Sequence, residues 1–106
     1  MERMKILWRG HEVGFLIDPV PDMWYLEGIL EPADSAAAIE FQKLVSSFEG
    51  RDVFNHPEKG TRIILTQDEN KSEVTHALVI SLTDQALFVR RVVDTQAIQW
   101  LHKNVK

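Results

Sequence analysis

Residues 74–82, VTHALVISL, are the most apolar stretch of the chain, and they do not alternate with polar residues. On a strand, Leu78, Ile80 and Leu82 fall on one face and Ala77 and Val79 on the other, because successive side chains point to opposite sides. A strand of this kind has to be covered on both faces. The pattern recurs twice. Leu87, Val89 and Val93 oppose Phe88 and Val92, and Trp24, Leu26 and Leu30 oppose Tyr25 and Ile29. The fold must therefore hide both sides of several strands within 106 residues.

Turn residues divide the chain around these strands. Residues 4–9 and 13–18 read as a hairpin across Gly10-His11-Glu12. Residues 18–22 read as a breaker, since Pro19 and Pro21 cannot donate to a central ladder. Residues 23–30 follow as a third strand. A second triplet comprises residues 62–67, 74–82 and 86–93, with a charged hairpin tip at 68–73. Between the triplets, Ala37, Ala38, Phe41, Leu44, Val45 and Phe48 recur at helical spacing. Asp34 or Ser35 supplies an N-cap and Gly50 a left-handed stop. This predicts one long helix over residues 34–49, with Phe41 and Leu44 in the core and Glu40 and Lys43 outside it. Residues 51–60 remain an irregular connection, long for a compact domain. Asp94 caps a short C-terminal helix whose inner face carries Ala97, Ile98, Leu101 and Val105.

The expected fold is a single α+β domain over residues 1–106. It has a mainly antiparallel sheet of about six strands, in the order β-β-β-α-β-β-β-α. Two helices on one face of an open sheet leave the other apolar face for a partner, so a homodimer is expected.

Charge narrows the partners. The chain has 12 Lys and Arg against 16 Asp and Glu, a net charge of −4. Residues 1–60 carry −5 of this and residues 61–106 carry +1. Nucleic-acid binders draw much of their affinity from phosphate neutralisation, so no nucleic-acid partner is expected. The chain has no cysteine, which excludes disulfides and thiolate chemistry. Residues 1–10 lack the apolar core of a secretion signal, and no run approaches the roughly 20 apolar residues of a bilayer helix. A cytoplasmic protein with no membrane partner is the expectation.

Catalytic patterns do not emerge, and no motif carries a family resemblance. His11, His56, His76 and His102 lack ligand spacing, so neither a metal nor a cofactor is expected. No serine lies in G-x-S-x-G or S-x-x-K, and no catalytic residue is assigned. Lys59-Gly60-Thr61 lacks the preceding glycines and following helix of a phosphate loop.

Contact residues are therefore chosen by type. Trp8, Trp24 and Tyr25 are aromatic residues on strands with two apolar faces. Glu27 stands in an apolar strand, and Arg51 and His56 lie in the 51–60 connection. His76 and Arg90 belong to the second triplet. Each also has an ordinary structural role open to it, as core, turn or solvated residue. The expected function is a protein-binding or regulatory and accessory module whose acidic surface docks on another protein. The alternative is a small enzyme or ligand-binding domain, with a site on the sheet (Glu27, His76 and Arg90) or at residues 51–60.

Overall fold

The structure, a computed structural model, describes residues 2–67 and 74–106. The hairpin tip expected at 68–73 lies outside the described residues. The elements are β1 (Arg3–Trp8), β2 (His11–Asp22), β3 (Tyr25–Pro32), α1 (Ala36–Ser46), α2 (Gly50–Asn55), a 3-10 turn (Pro57–Lys59), β4 (Thr61–Gln67), β5 (Val74–Thr83), β6 (Ala86–Val92) and α3 (Thr95–Asn104).

The sheet is not open. Its strands run β1-β2-β3-β6-β5-β4 and close into a six-stranded barrel. Each half is an antiparallel meander, and the two halves join at both edges. Tyr25 to Ile29 pair with Arg90 to Ala86 across β3 and β6. Met4 to Leu7 pair with Gln67 to Ile64 across β1 and β4. Closure removes the exposed edges that a six-stranded open sheet would leave. Register shifts at Ile6/Leu7, Ile17/Val20 and Val79/Ser81 mark bulges, and bulges supply the bending that closure requires. Gly14 adds to this at a φ of 147°; a Cβ there would stand 2.3 Å from the carbonyl oxygen of Glu31.

This architecture corrects the expected open α+β sheet and explains the two-faced strands. Ile6, Trp8, Val13, Leu16, Leu30, Leu65, Val79 and Val89 point into the barrel and form one core with Ala38, Phe41 and Val45 of α1. Leu78 and Ile80 point outward and form a second core with Val53, Leu101 and Val105. One apolar face fills the lumen; the other is covered by α2 and α3 over β5 and β6, while Ile29 of β3 stays exposed and Leu82, past the Val79/Ser81 bulge, joins the inner core. Closure removes the open sheet from which the homodimer was expected.

The helices also differ from the single long segment expected at 34–49. Ser35 caps α1, its side chain accepting from the Ala38 N–H at 3.1 Å. The helix ends at Ser46, where Ser47 Oγ donates to the Leu44 carbonyl at 2.6 Å. Phe48 then turns into the junction between the two cores. Gly50 is not a left-handed stop; it opens α2. The expected loop 51–60 is thus a short helix, anchored by buried Val53, followed by a 3-10 turn. At 10 residues α3 is nearly as long as the 11-residue α1, so one long and one short helix is not the observed plan. Phe41 is buried, Leu44 half-buried, and Glu40 and Lys43 exposed.

The breaker at 18–22 is part of β2. Past Asp18, whose N–H donates to the Glu2 carbonyl at 2.8 Å, β2 has no β1 pairing, so prolines without an N–H are tolerated there. No described helix is long and apolar enough to cross a membrane.

Candidate functional site

The outer wall of β5 and β6 carries α3, and a groove of about 440 Å³ runs beside the helix. It is lined by Trp24 from the β2–β3 turn, Leu78 from β5, Arg90 and Val92 from β6, and Trp100 and Leu101 from α3. Trp24 and Trp100 are 53% and 45% exposed. Such exposure on two indoles beside one concavity is unusual for side chains that can bury large apolar areas.

Arg91 sets the position of Trp24. Its backbone N–H donates to the Trp24 carbonyl at 2.6 Å, and its Nη2 donates to the Met23 carbonyl. The β2–β3 turn, with Met23 at a φ of 56°, is thereby tied to β6. Arg91 Nε is buried without a partner among the described residues.

Beyond Arg90 the aromatic surface continues. Tyr25 lies directly across from Arg90. Its ring stacks on Phe88, with centroids 5.2 Å apart, and meets Phe54 of α2 at 5.6 Å. Arg90 has no ion pair among the described residues. Arg91 and Asp94 also line the groove, and Asp94 accepts from the Ala97 N–H as the α3 N-cap. The groove therefore carries two arginines against one carboxylate, and neither arginine is ion-paired among the described residues.

The structure brings together Trp24, Tyr25 and Arg90 from the residues chosen by type. It does not gather the rest. Trp8 points into the barrel, where Nε1–H donates to Thr61 Oγ1 at 2.9 Å and the ring meets Phe41 at 5.5 Å. Glu27 is exposed on β3 without an ion pair among the described residues. Arg51 is exposed on α2, and exposed His56 lies 3.5 Å from Glu58. His76 lines a different groove, with Arg9, Arg62, His102 and Lys106. Of the alternative site, His76 and Arg90 line different grooves and Glu27 lines neither of them.

Trp100, Phe54 and Phe88 were not singled out from sequence. Trp100 had a usable signal: it is an aromatic residue lying off the Ile98, Leu101 and Val105 stripe of its helix. Phe54 had none, because a helix of barely more than one turn shows no periodicity. Among the described residues, no group of three or more His, Asp or Glu side chains could hold a metal ion. No protein-family model, curated protein or solved structure matches the chain.

Proposed function

We propose that this protein is a protein-binding module that receives a peptide segment carrying apolar side chains and a carboxylate in the groove between β6 and α3. The observation that carries the reading is the exposure of Trp24 and Trp100 beside the unpaired Arg90. Closure of the barrel bears on the mode of recognition. A peptide cannot add as a strand where no edge is open, and the unpaired flank of β2 carries Pro19 and Pro21. Recognition then rests on side-chain anchors. Trp24 and Trp100 supply area, and Arg90 selects an acidic group.

Synthetic peptides with alternating apolar and acidic residues, titrated by tryptophan fluorescence, test this. Trp24→Ala or Trp100→Ala should each weaken binding about 30-fold, equivalent to ~2 kcal/mol for an anchor residue. Arg90→Glu should reject the acidic peptide and accept its lysine-substituted counterpart. Binding indifferent to all three substitutions would refute the reading. So would light scattering that gives twice the single-chain mass, reversed by Trp24→Ala, because the occupant would then be a second copy of this chain.

A further inference from the structure

We propose that the groove at the C-terminal end of α3 binds a phosphate monoester of a small molecule. The groove measures about 290 Å³ and lies between α3 and the outer wall of β1, β4 and β5. Leu7, Ile64 and His76 are direct cross-strand neighbours on that wall. Leu7 and Ile64 supply an apolar surface next to His76. Arg9 approaches from the β1–β2 turn and Arg62 from β4, and His102 and Lys106 from α3 and the residues after it.

Every ionisable side chain lining this groove is a cation or an imidazole. Arg9, Arg62 and Lys106 have no ion pair among the described residues. Across the whole chain the acidic side chains outnumber the basic, 16 to 12, so a groove lined by no acidic side chain is not what random placement would produce. Clustered like charges repel, and they are retained at low cost only where an anion compensates them.

The cluster is also ordered. Arg62 Nη1 donates to His102 Nδ1. A guanidinium only donates, so His102 Nδ1 is the acceptor of this bond. The His102 ring meets His76 edge-on, with centroids 5.4 Å apart. Lys106 is held in place through its backbone, whose carbonyl accepts from Thr61 Oγ1 at 2.6 Å and from the Arg62 N–H at 3.1 Å. Arg9 is fixed over the Trp8 ring at 4.2 Å. Burial, then His102 and Arg62, hold the His76 pKa below its usual value. An anion in the groove would reverse the electrostatic part of that shift.

A dianion matches three permanent cations better than a carboxylate does, and guanidinium groups pair with phosphate oxygens in a fork. The apolar pair Leu7 and Ile64 favours an ester over inorganic phosphate. A nucleic-acid strand is a poor fit, because it would have to continue past a surface whose first 60 residues carry a net charge of −5.

The test uses phenyl phosphate and inorganic phosphate, with affinity read by calorimetry and the ring protons of His76 and His102 by NMR. Phenyl phosphate should bind more tightly than inorganic phosphate, shift both histidines and raise the His76 pKa. Arg62→Gln should weaken binding about tenfold, as for loss of a charge-assisted hydrogen bond. If that variant unfolds because Arg62 anchors α3, Arg9→Gln and Lys106→Gln carry the same expectation. Unmoved histidine resonances at millimolar phenyl phosphate would overturn the proposal, as would undiminished binding in Arg9→Gln. Tighter binding of a single-stranded oligonucleotide or a phosphoserine peptide than of phenyl phosphate would also overturn it, since the ligand would then be a macromolecule.

Discussion

α1 and α3 are near equals in length, 11 and 10 residues, and each is N-capped by a side-chain oxygen, yet they relate to the barrel in opposite ways. α1 enters the concave end of the barrel and buries Ala38, Phe41 and Val45 among strands from both meanders. α3 lies on the convex outer wall, and Leu101 is its one buried residue, with Val105 following. A helix seated in the mouth of a cup packs one face against several strands, whereas a cylinder on a cylinder touches along a line. Both candidate sites follow from that difference. The tryptophan-walled groove and the basic groove both lie along α3 where it rises from the wall. Of the two helices, the one with the smaller buried face borders both grooves.

The largest expected effect tests the plug. Phe41→Ala should cost about 3–5 kcal/mol in urea unfolding, as for a buried aromatic whose cavity cannot collapse. A loss no greater than that of an outer-layer residue would mean that α1 does not seal the barrel. Leu101→Ala comes next, at about 2–3 kcal/mol, the low end for leucine because the site can relax toward solvent. Its hydrogen-exchange signature should be local: α3 amides lose protection while β1 to β6 keep theirs. Uniform loss would show that α3 and the barrel unfold as one unit, which breaks the comparison.

A smaller effect concerns pH. His76 has a depressed pKa in the fold, so the unfolded chain binds its proton more readily. Its contribution to stability is present above the unfolded value of about 6.5 and is lost as pH falls toward the folded pKa. Melting temperature should fall between pH 7.5 and 5.5, and His76→Gln should flatten that slope; an unchanged slope would remove His76 as the cause. The smallest effect is expected at Lys43 on the outer side of α1. Lys43→Ala should stay within about 0.5 kcal/mol, and a larger loss would show that the exposed face of the plug has a partner of its own.

The legible parts of the fold were those written at short range. The apolar positions of β6 and of β5 as far as its bulge, the Phe41 face of α1 and the caps at Ser35 and Asp94 can be read within a few residues of themselves, whereas Leu82 changes face at the Val79/Ser81 bulge. The break after Ser46 could not be read, because Phe48 keeps the helical spacing while its actual place is the seam between two cores. Pairing of β1 with β4 could not be read either, since no local signal joins Ile6 to Leu65. The candidate site divides in the same way. Trp24, Tyr25 and Arg90 stand out by residue type, whereas Arg62 and His102 meet across 40 residues with no periodicity to announce it.

By itself, then, the sequence determined that several strands must be covered on both faces, because side-chain parity has a period of two and needs no knowledge of distant segments. What covers each face was decided only by the tertiary structure. Closing the sheet sends one face into the lumen and leaves the other for α2 and α3. That choice depends on which edges meet, a matter of loop closure and burial summed over the whole chain rather than of any residue's own preference.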